Sequence, residues 1–271
     1  MTFKEKELQL QYQGFLATNF LWKGMLNEQL LNSDYTFFEK EQFAISINQK
    51  LRLGKLVEKF VINQLSEYNN IEILLENVQI QDEKITLGEL DCILLENNIP
   101  IHLEIIYKFY LYDNSVGNSE IEHWIGPNRR DSFDMKYDKL VSKQLPMLYH
   151  AKTQELLKKK NIDTDKIIQK VYFKAQLFPH LNDINKNFPL INNDCISGFY
   201  IYRNELSQYN NCKFFVPTKH NWLIQPHSNV NWLNFEEFSK QSSVFLEEEY
   251  APMCWMKKPN GMIFKFFVVW W

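Results

Sequence analysis

Three acidic residues, Glu89, Asp91 and Glu104, stand in a stretch that is otherwise strongly apolar, ITLGELDCILLENNIPIHLEIIYKFYL, from Ile85 to Leu111. The stretch reads as two strands joined at Glu96-Asn97-Asn98. Asn tolerates positive φ, so Asn-Asn suits a two-residue primed turn. With Asn97 and Asn98 at the tip, Glu96 faces Ile99; counting outward, Asp91 faces Glu104, with Cβ atoms roughly 4.5–5.5 Å apart. Glu89 shares that face by the alternation of a strand. On the second strand His102, Glu104, Ile106, Lys108 and Tyr110 lie on the acidic side, while Ile101, Leu103, Ile105, Tyr107, Phe109 and Leu111 form an apolar face. Opposed like charges destabilise a hairpin, and a bound divalent cation reverses that sign. The acidic pair is therefore a candidate metal site. The plainer reading is an exposed sheet face on which carboxylates are tolerated.

Several elements must position these groups. Leu51 to Tyr68 is a helix, with Leu53, Leu56, Val57, Phe60, Val61 and Leu65 at helical spacing and Glu58 beside that stripe. On the helix alone Glu58 reads as a boundary carboxylate. Ile71 to Ile80 is a strand, and Tyr112 to Asn128 a loop with Gly117, Gly126 and Pro127. That loop holds His123, a residue of ligand or base type that in a loop is more often bland. Arg129 to Tyr149 begins a helical region. Its apolar stripe is Phe133, Tyr137, Leu140, Val141 and Leu148, and Gln144 falls on that stripe, about 20° from Phe133. Lys136, Lys139 and Lys143 line another side, and Pro146 should kink or restart the helix. A Gln on an apolar face needs partners, at an active site or on nearby backbone. Lys170 to Phe178 is a strand, as are Gly198 to Tyr202, Cys212 to Val216 and Met262 to Trp271; Trp232 to Phe245 contains a helix. The closing FKFFVVWW is too apolar for a free tail and should pack in a sheet or interface. Residues 1–50, with Phe15, Phe20, Leu21, Trp22, Met25, Leu30 and Leu31 as apolar surface and a break at Ser33-Asp34, read as helical and auxiliary.

At 271 residues and 45% hydrophobic, the chain suits one large folded domain or a core with an extension. No run approaches the roughly 20 apolar residues of a membrane span, and MTFKEKELQLQ lacks the apolar stretch of a signal peptide. Four widely spaced cysteines without CxxC point to reduced thiols in a cytoplasmic protein. The net charge of −3 hides an asymmetry: Arg129 to Lys174 carries twelve Lys/Arg against six Asp/Glu. A basic segment directly after the acidic hairpin suits a phosphate-backbone surface, or else a solvated helix pair.

Gly-Glu-apolar-Asp on one strand, then an apolar strand carrying Glu, then a basic helix, resembles the PD-(D/E)XK nuclease superfamily. More closely, TLGELD, HLEIIYKFYL, WIGPNRRD and KLVSKQL resemble a family of uncharacterised bacterial proteins, domain of unknown function 1853, over roughly Leu53 to Leu148. The resemblance implies a restriction-endonuclease-like α/β fold, a mixed central sheet flanked by helices, with a β-rich C-terminal extension. It implies that Asp91, Glu104 and Glu58 hold Mg²⁺ or Mn²⁺, for which carboxylate oxygens are suited. Gln144 is then the polar residue on the helix after the core strands. Glu89 is then an outer-shell or an additional ligand and His102 an outer-shell group, and Arg129, Arg130, Lys136, Lys139 and Lys143 contact nucleic acid. The implied organisation is an N-terminal helical segment (1–50), a nuclease-like core (51–178) and a β-rich region packed on it (179–271).

One departure stands out. The superfamily places lysine two residues after the glutamate, and here that residue is Ile106. Lys108 lies roughly 13 Å from Glu104 along the strand. Lys108 folded back, or a lysine from elsewhere such as Lys136, would have to replace it. Two functions follow: a metal-dependent nuclease, acting on DNA in preference to RNA, or a catalytically silent nuclease-like fold that binds nucleic acid or protein. No membrane partner is expected, and the oligomeric state is left open, a homodimer included. His102-x-Glu104 matches the H-x-E of zinc deaminases, but their PCxxC is absent. Carboxylates facing each other across a hairpin are too close for glycoside hydrolysis.

Overall fold

The computed structural model describes residues 2–22, 31–32, 42–44, 47 and 51–271; Met25, Leu30 and the Ser33-Asp34 break lie outside them. Helix α1 (Phe3–Leu16) starts at a capping box, Thr2 and Glu5 each taking the other's backbone N–H. Leu31–Asn32 is not helical but a short strand, β1. Helix α2 (Leu53–Leu65) forms where the apolar spacing predicts, with Leu56, Val57, Phe60, Val61 and Leu65 buried. Three long strands follow, β2 (Ile71–Asp82), β3 (Ile85–Glu96) and β4 (Ile99–Tyr112). A short helix α3 (Glu120–His123) and strand β5 (Trp124–Ile125) lead to α4 (Phe133–Lys139), α5 (Ala151–Lys159) and β6 (Ile168–Pro179). The chain ends with β7 (Gly198–Tyr202), β8 (Lys213–Phe215), α6 (Phe235–Glu247), β9 (Met253–Lys257) and β10 (Ile263–Val269).

The β3–β4 hairpin has the register expected from its turn. Asn97 and Asn98 adopt φ 51° and 64°, and the ladder runs from Glu96–Ile99 to Cys92–Leu103. Positive φ at both central residues is what a type I′ turn requires, and Asn meets it at low cost. The sheet has the order β1-β6-β4-β3-β2, with β5 paired to the end of β4. It is mixed, since β1 runs parallel to β6 while β2, β3 and β4 form an antiparallel meander. A second sheet, β7-β10-β9-β8, is also mixed, with β10 parallel to β7 and antiparallel to β9. The protein is thus α/β, with a β-rich C-terminal part. Strand β9 has no place in the sequence reading; β10 confirms the expectation that FKFFVVWW packs in a sheet.

The chain divides into two compact units. One comprises Phe20–Tyr107 and Met135–Lys174, and its core includes Ile80, Leu90, Ile93, Leu148, Leu157 and Ile167. The other comprises Met1–Asn19, Lys108–Asp134 and Ala175–Trp271, with a core of Phe199, Ile201, Phe214, Phe238, Met256, Phe266 and Val268 among others. In this second unit Lys265 is buried, its Nζ donating to Gln176 Oε1 at 2.8 Å and the Trp222 carbonyl at 2.9 Å. Burial pushes its pKa down to about 7. All four cysteines are buried. Among the described residues, no helix is long and apolar enough to cross a membrane.

The region expected as one helix from Arg129 to Tyr149 is in three parts. After α4 come a π turn, Leu140–Gln144, and a 3₁₀ turn, Leu145–Tyr149. Pro146 lacks an N–H and crowds the preceding turn, so the helix restarts there as expected. A π turn holds one more residue than an α turn and so changes where the following side chains point. Gln144 is the last residue of that turn.

Candidate active site

Asp91 lies where the sheet loses its regularity on both sides. Toward β4 the ladder ends at Cys92–Leu103, and one residue further Asp91 Oδ2 accepts the N–H of Ile105 at 2.9 Å. Toward β2, Glu76–Cys92 and Val78–Leu90 pair, and between them Asn77 adopts φ 53°. The left-handed region is costly for most residues within a strand, and Asn is among the few that enter it readily. Asn77 Oδ1 accepts from Lys55 Nζ at 2.8 Å. The same ammonium lies 2.9 Å from Glu58 Oε2 and 2.5 Å from Glu89 Oε1. Lys55 and Glu58 are one turn apart on α2 and so share a helix face. One carboxylate oxygen each from Glu58, Glu89 and Asp91 lies within 4.8 Å of the others.

Glu104 adjoins this cluster, close enough that its charge raises the pKa of Asp91. Gln144 Nε2 donates to its Oε2 at 2.5 Å, and His102 Nε2 lies 3.0 Å from its Oε1. Gln144 Oε1 in turn accepts from Lys136 Nζ. The exposed-face reading of the hairpin is overturned: Glu58 and Asp91 are 8% and 9% exposed, and His102 and Glu104 are fully buried. Helices α2 and α4, with the turns after α4, supply side chains where the sequence alone left open water.

Burial is the main cause of the shifts at Glu58, Asp91, Glu104 and His102. It pushes Glu58 up to about 7, with the charge of Asp91 adding and the Lys55 bond opposing. Asp91 rises to about 7, helped by Glu104 and opposed by the Ile105 N–H. Glu104 also rises to about 7, against the pull of Lys136. Burial lowers His102 to about 4, so its ring is neutral at physiological pH. Four carboxylates face two lysines here. Hard oxygen donors this close, with Glu58, Asp91 and Glu104 buried and positive charge in short supply, fit a divalent cation such as Mg²⁺ or Mn²⁺.

Other sequence candidates have other partners. Lys108 Nζ donates to Asp131 Oδ2 at 2.6 Å, and Ile106 is buried. Arg129 pairs with the buried Asp113 at 2.7 Å and lies 4.3 Å over the ring of Trp271, while Arg130 is exposed. Lys139 and Lys143 are exposed. His123 holds the Val116 carbonyl through Nδ1 at 2.6 Å, the bland role expected of a loop histidine.

Sequence reasoning missed Lys55, Asn77 and Gln169, whose Nε2 lies 2.9 Å from His102 Nδ1. Lys55 was signalled by its spacing from Glu58. Asn77 was signalled as a poor strand former inside IEILLENVQI. Gln169 has no local signal, because it reaches His102 from β6, far away in sequence.

The mixed α/β fold thus gathers a cluster of carboxylates to which α2 and α4 each bring a lysine, Lys55 and Lys136. The chain belongs to the family described as Domain of unknown function (DUF1853), whose model matches residues 22–263. It is also similar to the DNA mismatch repair protein MutL of Clostridium botulinum (strain ATCC 19397 / Type A), at 24% identity over 199 residues. That match covers 68% of this chain and 28% of the relative, so the chain spans well under a third of that protein. No solved structure matches the chain.

Proposed function

We propose that the protein is a metal-dependent nuclease of the PD-(D/E)XK kind that hydrolyses phosphodiester bonds, in DNA in preference to RNA. The observation that carries the reading is the convergence of Glu58, Glu89 and Asp91 within 4.8 Å, beside a buried Glu104. Asp91, Glu104 and Glu58 would hold Mg²⁺ or Mn²⁺, and Glu89 stands close enough to join them. When bound, the metal supplies a Lewis acid that activates water and stabilises the leaving oxygen. Lys55 takes the part of the lysine that Ile106 lacks. Its ammonium already lies among the carboxylates, where a phosphate oxygen would be neutralised. Gln144 and Lys136 hold Glu104 from the other side. The exposed Lys139 and Lys143 supply sequence-independent attraction for the phosphate backbone. The likeness to a protein whose name is DNA mismatch repair supports a role with nucleic acid.

The test is cleavage of single- and double-stranded DNA and RNA with Mn²⁺, Mg²⁺ or EDTA, with Asp91→Ala beside the wild type. Metal-dependent cutting that the variant lacks is expected. No cutting by the wild type, with nucleic-acid binding retained, would sink the enzyme reading in favour of a silent nuclease-like fold.

A further inference from the structure

The polarity of the two hydrogen-bonded arms that reach Glu104, through His102 and through Gln144, can be assigned. A carbonyl oxygen only accepts, so the Gln169 atom 2.7 Å from the Leu145 carbonyl is the amide nitrogen. That same nitrogen lies 2.9 Å from His102 Nδ1, so Nδ1 is the acceptor. The ring proton is therefore on Nε2, which faces Glu104 Oε1 at 3.0 Å. On the other side, the Lys136 ammonium only donates, so Gln144 meets it with its oxygen and turns its NH₂ to Glu104 Oε2. Both arms end on Glu104 as donors. His102 and Glu104 are fully buried.

We infer that Gln169 and His102 are positioning residues: they fix the imidazole as its Nε2–H tautomer and lock the Glu104 carboxylate, from both oxygens, in the orientation that faces Asp91. His102 alternates with Glu104 on β4 and so stands on the same face of the strand. Gln169 comes from β6, the neighbouring strand, and one amide group reads both the ring and the backbone after the π turn. Such outer groups usually alter metal affinity 10–100-fold when removed. The inference rests on the reading of Glu104 as part of the cation-binding cluster.

The test uses the full chain labelled with ¹⁵N-histidine. The six histidines are separated by comparing the wild type with His102→Gln. At pH 7 the His102 ring should show a proton on Nε2 and none on Nδ1. A proton on Nδ1 overturns the chain. Gln169→Glu keeps the shape and turns a donor into an acceptor, so Nδ1 should gain a proton; an unchanged ring overturns the assignment. Mn²⁺ titration calorimetry supplies the second readout. His102→Phe should weaken binding by roughly 10–100-fold, and His102→Gln, which retains a donor, should recover most of it. Wild-type affinity in a folded His102→Phe overturns the positioning role. Should His102→Phe not fold, Gln169→Glu carries the same calorimetric comparison, with weakened Mn²⁺ binding expected. A wild type that binds no Mn²⁺ defeats the cation reading of Glu104, and with it the metal-positioning role; the tautomer then decides the hydrogen-bond chain separately.

Discussion

Lys55→Met should separate two properties that a simple active-site lysine would couple. Met keeps the length and the apolar stem and removes only the ammonium. In the wild type that ammonium lies 2.9 Å from Glu58, 2.5 Å from Glu89 and 2.8 Å from Asn77. A shielded charge-assisted hydrogen bond is worth about 1.5–3 kcal/mol. The Lys55 side chain is 38% exposed, so its two carboxylate bonds together are discounted to about 2 kcal/mol. Without divalent metal, the variant should therefore unfold about 1–2 kcal/mol more easily in urea.

A divalent cation, by contrast, meets carboxylates that no longer share their charge with an ammonium. Even 1.4 kcal/mol of relieved competition is about tenfold in affinity, so Mn²⁺ should bind about tenfold more tightly by calorimetry. Cleavage should nevertheless fall by roughly 10²–10³, the usual loss when one electrostatic donor to the transition state is removed. Tighter metal and lost cutting in one variant is the signature. Weaker Mn²⁺ binding would refute the argument that Lys55 competes for these oxygens. Undiminished cleavage would refute its role at the phosphate.

Lys265→Met should stabilise the protein. Depression from 10.5 to about 7 corresponds to roughly 5 kcal/mol against the charged form, partly offset in the variant by the loss of the hydrogen bonds to Gln176 and the Trp222 carbonyl, for a net gain of about 2–4 kcal/mol in denaturant melts. The sign with pH follows: between about 7 and 10.5 the unfolded lysine holds a proton that the folded one has released, so wild-type stability relative to the variant should rise with pH through that window. Gly14→Ala and Gly54→Ala should have opposite effects on melting temperature. A Cβ at Gly14 would lie 1.9 Å from the Leu223 carbonyl oxygen, costing about 1–3 kcal/mol, whereas at Gly54 it meets nothing within 4 Å and should contribute about 0.5–1 kcal/mol to α2. Lys139→Glu with Lys143→Glu should weaken DNA binding and reduce the slope of log affinity against log salt by about 1.8, as expected for two lost phosphate contacts. An unchanged slope would remove that helix from the DNA-contact surface.

What the sequence disclosed follows from the range of the interactions involved. The turn Asn97-Asn98 determines the hairpin register locally, so the ladder from Glu96–Ile99 to Cys92–Leu103 was legible in the sequence, although it stops one pair short of Asp91 and Glu104. The helix Leu53–Leu65 was legible for the same reason, since its apolar spacing is a local property. Burial was not legible. Whether a strand face meets water depends on what packs over it, and Glu58 read as a boundary carboxylate until α2 was placed. Pro146 marked the break after Gln144, but not that a π turn would precede it and aim Gln144 at Glu104.

The same distinction explains the lysine. The expected spacing from Glu104 ends at Ile106, and searching the same strand for a substitute leads to Lys108, which is occupied by Asp131. A charge can reach a shared point from any element whose side chain is long enough, so its place in the sequence is weakly constrained. A strand carboxylate, with its short stem, is strongly constrained. Asp91 and Glu104 therefore stayed on the strands the pattern gave them, β3 and β4. The ammonium came from α2, one helical turn before Glu58, carried by the longer and more flexible stem.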